Sequence, residues 1–131
     1  MIVADSNVLA SLYLPGEFTD AAERLLESDS DWHAPILWRS EFRNILAGGL
    51  RRGSLAFEQA QALQCEAESL LDGAEHEPDS RRVLELVQGS ECSAYDCEFV
   101  ALAETLGTRL VTMDGKLLKT FPNIAKPLSA C

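Results

Sequence analysis

Positive charge is scarce in this chain. It has 11 lysines and arginines against 21 aspartates and glutamates, a net charge of −10 over 131 residues. That deficit excludes broad, nonspecific nucleic-acid binding, which relies on a basic footprint to displace counterions. It leaves open a nucleic-acid substrate held at a metal ion, and it suits a basic protein partner. Long apolar runs are also missing. The longest are a few residues, such as Ile36-Leu37-Trp38, whereas a bilayer span needs about 20. No basic-then-apolar leader precedes Met1-Ile2-Val3-Ala4, so the expected location is the cytoplasm, away from any membrane. Histidine is nearly absent: His33 and His76 lie far apart along the chain, without zinc-ligand spacing. Cys65, Cys92, Cys97 and Cys131 contain no CxxC pair. They read as ordinary thiols rather than a disulfide scaffold, with Cys97 a packing residue.

What is present points to one small α/β domain spanning residues 1–131. Hydrophobic residues make up 47% of the chain, enough for a single core at this length. Met1 to Ala4 reads as a buried strand. Asp5-Ser6-Asn7 can cap the helix carrying Val8, Leu9, Leu12 and Tyr13, which Pro15-Gly16 breaks. A helix over Phe18–Glu27 and a brief strand at Trp32-His33-Ala34 follow. A long helix runs from about Leu37 to Leu50 and closes at Arg51-Arg52-Gly53, with Ser54 as the next N-cap. Phe57–Leu71 is another helix, and Ala74–Glu77 a short strand candidate. Pro78 opens a helix through Val87. Ser93-Ala94-Tyr95-Asp96 has capping-box spacing and opens a helix ending at Gly107. Arg109–Met113 is the clearest strand. Leu117-Leu118 starts a short helix or turn, and Asn123–Leu128 is an edge-strand candidate limited by its prolines. Alternating strands and helices imply a mostly parallel sheet with helices on both faces, a three-layer α/β/α sandwich. Arg39, Arg43, Arg51 and Arg52 follow one another along the long helix, and Arg81-Arg82 form a second pair; solvated helix faces with i,i+4 partners are one account of them.

Four carboxylates stand out by position. In a βαβ unit the crossover helix runs against its strands, so helix N-termini and strand carboxyl ends share one edge. Open α/β folds bind ligands along that edge. Asp5 follows the first strand, Asp114 follows the last strong strand, and Asp96 and Glu41 sit in the first turns of their helices. Each has an ordinary alternative: a cap for Asp5, a capping-box partner for Asp96, a dipole-favoured acid for Glu41, a turn former for Asp114. Two placements argue for more. Asp96 shares a helical face with Val100 and Ala103, and Glu41 shares one with Leu37 and Ile45, so both look inward, where an unpartnered carboxylate is costly. Close like charges repel by roughly 4 kcal/mol per pair at an effective dielectric near 20, so a cation is needed to keep the cluster ionised. Oxygen-only ligands suit Mg²⁺ or Mn²⁺, and one ion, or two roughly 3.5–4 Å apart, would support phosphodiester hydrolysis without a histidine base. Ser6, Asn7 and Thr112 are small polar neighbours able to orient ligands or waters, although Thr112 is equally well explained as a plain strand residue.

The runs Ile2-Val3-Ala4-Asp5-Ser6-Asn7-Val8, Ser40-Glu41-Phe42, Ser93-Ala94-Tyr95-Asp96-Cys97-Glu98-Phe99-Val100-Ala101-Leu102-Ala103 and Leu110-Val111-Thr112-Met113-Asp114, in this order and spacing, resemble a PIN domain. The resemblance is closest to the VapC-like toxins of bacterial toxin–antitoxin pairs and covers essentially the whole chain. It implies a PIN-like fold and a metal-dependent endoribonuclease acting on single-stranded or loop RNA. Asp5, Glu41, Asp96 and Asp114 would then be the catalytic and metal-binding acids, with Mg²⁺ or Mn²⁺ as cofactor. It further implies a homodimer and a cognate antitoxin, often partly basic, that blocks the acidic site. The helices from about Glu17 to Leu71 would form the antitoxin groove and RNA-facing surface.

Two other classes fit less well. A phospho-acceptor receiver domain is also small, acidic and Mg²⁺-binding at this edge, and Lys126-Pro127 matches its late turn. But it wants paired acids after the first strand, where Ser6-Asn7 stand, and a full helix after Lys-Pro, where four residues remain. A phosphatase with an aspartate nucleophile wants a second acid at Asn7. A catalytically inactive PIN-like binding module should lack one of the four acids, and all are present.

Overall fold

The computed structural model describes residues 1–131. In chain order the elements are β1 (Ile2–Ala4), α1 (Ser6–Tyr13), α2 (Thr19–Ser28), β2 (Trp32–Pro35), α3 (Trp38–Arg52), α4 (Phe57–Leu70), β3 (Glu75–His76), α5 (Ser80–Gln88), α6 (Ala94–Leu106), β4 (Leu110–Thr112), α7 (Gly115–Thr120) and β5 (Ala125–Pro127), with a closing 3₁₀ turn at Leu128–Ala130. The five strands form one sheet in the order β3-β2-β1-β4-β5. Every pairing is parallel, with Ile2 opposite Trp32, Val3 opposite Leu110 and Leu110 opposite Ala125. The fold is the expected three-layer α/β/α sandwich.

Burial explains the arrangement. All three residues of β1 are buried, as they must be in a central strand covered on both faces. Its flanks, β2 and β4, bring Trp32, Ala34, Leu110 and Val111 into the same core, a cluster of 29 buried residues that α3 completes with Trp38, Phe42 and Leu46. Burying a large apolar side chain contributes about 1.5–3 kcal/mol, so these side chains fix where α3 rests on the sheet. Helices α1, α2, α3 and α4 pack among themselves, while α5 and α6 pair with each other and α6 lies against β1, β2 and β4. No helix is long and apolar enough to cross a membrane.

Local chemistry sets most boundaries. The carboxylates of Asp5, Asp79 and Asp114 and the hydroxyl of Ser93 cap the helices that follow them. Gly53 and Gly107 end α3 and α6 at φ of +76° and +66°, where a side chain would be strained. Two expected boundaries move. Ser54 does not cap α4: its backbone N–H and its hydroxyl both donate back to the Gly49 carbonyl, so it finishes α3. Helix α4 instead starts after Ala56, whose N–H donates to Gln59 Oε1 at 2.8 Å. Pro78 precedes its helix rather than opening it, because Asp79 accepts from the Arg82 N–H and takes the cap. Pro127 lies within β5, at the free edge where a missing N–H is tolerated.

Two side-chain clusters join residues far apart in sequence. Arg39 is not a plain solvated cation. Its guanidinium donates to both Glu75 oxygens, at 2.6 and 2.7 Å, and to Glu68 at 3.1 Å, while the Trp38 indole donates to Glu75 at 2.9 Å. This ties the start of α3 to β3 and α4. His33 and His76, remote in sequence, meet across adjacent strands with Nδ1 and Nε2 2.8 Å apart, and Asp31 lies 2.8 Å from the other His33 nitrogen. Cys65, Cys92, Cys97 and Cys131 are free thiols, and Cys97 is buried as a packing residue.

Candidate active site

The strand order reverses between β1 and β4: from β1 the chain builds outward through β2 and β3 on one side and through β4 and β5 on the other. At such a reversal the neighbouring connections leave toward opposite faces, opening a crevice beyond the strand ends. Asp5 is the first residue after β1, and Asp114 stands two residues after β4 ends at Thr112. The first turns of α3 and α6 supply Glu41 and Asp96. All four carboxylates line one open cleft of about 550 Å³. Leu37 and Ile45 line it as well, as their shared helical face with Glu41 requires.

Asp5 is the most deeply set, 8% exposed. One of its oxygens caps α1, accepting from the Ser6 N–H at 2.7 Å; the other accepts from the Thr112 hydroxyl at 2.7 Å and the Asn7 amide at 3.5 Å. Asp5 therefore caps α1 and lines the cleft at once. Thr112 is fully buried and works in two directions: it donates to Asp5 and accepts from the Asp114 N–H at 3.0 Å. Ser6 links the first acid to the second, its hydroxyl donating to Glu41 Oε1 at 2.8 Å. Asn7 accepts from the Met113 N–H at 3.3 Å, tying β1's exit to β4's. Asp114 caps α7 through Oδ1, which accepts from Lys116 and Leu117. Asp96 does not close a reciprocal capping box. Its N–H donates to the Ser93 hydroxyl at 3.1 Å, but its carboxylate takes no bond from the Ser93 N–H, and the residue lines the cleft.

The charges disfavour one another. Burial pushes the Asp5 carboxyl up to about 6, against the pull of the Thr112 hydroxyl and Ser6 N–H, with the charges of Glu41 and Asp96 adding to the rise. Glu41 is raised by burial and by Asp96, with the Ser6 hydroxyl opposing. Asp96 is raised by burial and then by Asp114, with the Ser93 hydroxyl and Lys116 opposing. The four acids thus form a continuous chain of repulsion. They are spread over the cleft walls: no three His, Cys, Asp or Glu side chains stand close enough together to grip an ion as they are placed.

Three further lining residues, Ser40, Asn44 and Tyr95, were not singled out from the sequence. Ser40 and Asn44 follow Leu37 at helical spacing, so the periodicity of α3 contained that signal. Nothing in the pattern distinguishes Tyr95 except its place beside Asp96.

Comparison with known proteins agrees with this architecture. The family model described as PIN domain matches residues 2–123. The chain is 29% identical over 129 residues to a protein named Ribonuclease VapC3 from Pyrobaculum aerophilum, covering 96% of this chain and 98% of that one. Among solved structures, PAE2754 from Pyrobaculum aerophilum superposes with a TM-score of 0.79 at 20% identity, over 98% of this chain and 91% of that one. FitAcB from Neisseria gonorrhoeae gives 0.74 at 18% identity, over 100% of both.

Proposed function

The chain belongs to the PIN domain family, and from that membership we propose that it is a metal-dependent endoribonuclease, the toxin of a toxin–antitoxin pair. In this reading the whole chain is one nuclease domain, and Asp5, Glu41, Asp96 and Asp114 would hold Mg²⁺ or Mn²⁺ for hydrolysis of an RNA phosphodiester. The observation that carries it is the cleft itself: four acids from four separate elements converge on it, and three of them are held above their ordinary carboxyl range. A fold gains nothing from burying carboxylates beside one another, and a divalent cation relieves both the burial cost and the repulsion. The donor set fits a hard ion, since all four groups are carboxylates and no thiol or imidazole lines the cleft.

When bound, such an ion supplies positive charge for the phosphate and lowers the pKa of a water. The chain's own residues hold its ligands. Ser6 and Thr112 each spend a hydroxyl proton on one carboxylate oxygen, fixing Glu41 and Asp5. Glu41 Oε2 and Asp114 Oδ2 take no hydrogen bond from the protein and are free to ligate. Buried hydroxyl partners of this kind set ligand orientation.

The same reading includes an antitoxin and a homodimer. An apolar groove between α3 and α4, lined by Leu46, Leu50, Phe57 and Ala60, lies within the helices expected to receive the antitoxin, and the net charge of −10 suits a partner with a basic segment.

The test is cleavage of an unstructured, end-labelled RNA. Mg²⁺ or Mn²⁺ should support cutting and EDTA should stop it. Asp96→Asn should lower the rate by more than roughly a hundredfold, beyond the loss typical of an outer-shell partner, with an unchanged circular dichroism spectrum. Cutting that survives in EDTA, or in both Asp96→Asn and Asp5→Asn, would refute the assignment.

A further inference from the structure

The acids leave a binding problem unsolved. No lysine or arginine lines the cleft, and the chain as a whole carries −10. Beside the ion, the one cation whose charge is felt at the acids is Lys116, next to Asp96, so charge offers an RNA strand little hold in the cleft itself. Contact that needs no charge would add binding energy there.

One lining residue is suited to that. Tyr95 stands in the first turn of α6, directly before Asp96, and is 62% exposed. The fold makes no use of it. The aromatic contacts of the protein join Tyr13, Phe42, Trp38 and the two histidines, and the tyrosine hydroxyl that finds a partner belongs to Tyr13. Other exposed apolar side chains have different surroundings: Leu50 and Phe57 line the α3–α4 groove. Tyr95 is the one aromatic on the acidic cleft. Its ring lines the same cleft as the four acids, so a base next to a phosphate held there can meet it.

We propose that Tyr95 is the base platform of this cleft, its ring stacking on an unpaired nucleobase next to the phosphate held at Asp5, Glu41, Asp96 and Asp114. The proposal rests on the nuclease reading above. Every base presents a π-face, so a tyrosine platform binds without regard to sequence and without positive charge. A base inside a duplex has both faces covered by its neighbours. The platform therefore selects single-stranded or looped RNA by geometry, where a basic groove would select by charge.

Steady-state cleavage of a labelled single-stranded RNA with Mg²⁺ tests this, using the protein and its Tyr95→Ala, Tyr95→Phe and Tyr95→Trp variants. Tyr95→Ala should raise KM about ten- to a hundredfold with kcat largely kept, and Tyr95→Phe, which keeps the ring, should restore most of the loss. Trp32 and Trp38 are buried, so the exposed indole of Tyr95→Trp reports on its own position, and its emission should be quenched as RNA binds. An abasic nucleotide at the mapped position should slow the wild type as much as Tyr95→Ala does, and slow the alanine variant no further. A wild-type KM in Tyr95→Ala, or a Phe variant as weak as Ala, would overturn the platform. So would unchanged Tyr95→Trp emission while that variant cuts RNA, with the nuclease reading left standing. If the wild type cuts no RNA and the indole emission does not respond, the nuclease reading falls and the platform with it.

Discussion

Removing a proposed catalytic acid should make the metal-free protein more stable. Asp5 is the case to examine, because it is the most buried of the four and its carboxyl is pushed up to about 6 from 3.8. Between those two values the folded protein binds a proton that the unfolded chain does not. Stability therefore falls as pH rises through that window, and the full penalty is present above pH 6. A tenfold change in proton affinity is about 1.4 kcal/mol, so ionised Asp5 costs the metal-free fold about 3 kcal/mol. Asp5→Asn removes that charge. The asparagine keeps an oxygen for the Ser6 N–H and so keeps the helix cap. It sets an amide against the Thr112 hydroxyl, which already accepts from the Asp114 N–H, and losing that bond costs about 1 kcal/mol. The net expectation is a gain of about 2 kcal/mol, a melting temperature higher by roughly 5–10 °C for a domain of this size. Thermal unfolding in EDTA at pH 8 measures it. At pH 4.5, where the wild-type carboxyl carries its proton, the difference should largely disappear. Adding Mn²⁺ at pH 8 should raise the melting point of the wild type much more than that of the variant, since only a ligand that binds the native state stabilises it. An Asp5→Asn protein that melts below wild type in EDTA at pH 8 would refute the reasoning, because the cost of burying an ionised Asp5 beside Glu41 and Asp96 would then not be felt by the fold.

Two further outcomes follow from the same structure. Thr112→Val keeps shape and burial but removes the hydroxyl shared by Asp5 and the Asp114 backbone; metal affinity, read by calorimetry, should fall about 10–100-fold, with a smaller change in circular dichroism than in affinity. His76 is held below its ordinary value by burial and by the neighbouring His33. Its contribution to stability is present above pH 6.5 and is lost as pH falls through the depressed value, since below 6.5 the unfolded chain binds the proton first. His76→Gln should flatten that acid limb in urea unfolding measured from pH 8 to pH 5.

In the cleft, local structure and overall stability pull in different directions. Local rules are obeyed at Asp5 and Asp114, which cap α1 and α7 as their sequence positions suggest. With Glu41 and Asp96 they then break a global rule, by gathering like charges around a buried one, Asp5. Conflicts of this sort between local consistency and overall stability concentrate at functional sites.

Much of this was readable before any coordinates. Strand-helix alternation and the caps at Asp5, Ser93, Gly53 and Gly107 follow from near-neighbour chemistry, so element order and the helix ends they mark came straight from the residues. So did the edge on which the four acids meet, because in a parallel sheet every strand exit and helix entry lies there. The tertiary structure alone decided what depends on residues distant in sequence. The order β3-β2-β1-β4-β5 places Asp5 and Asp114 on either side of one crevice. Thr112 became the hydroxyl bridge between them, Arg39 the tie to Glu75 rather than a surface charge, and His33 a partner of His76. Periodicity records which way a side chain faces, but not which partner arrives from a hundred residues away; that is fixed only when the strands take their places in the sheet.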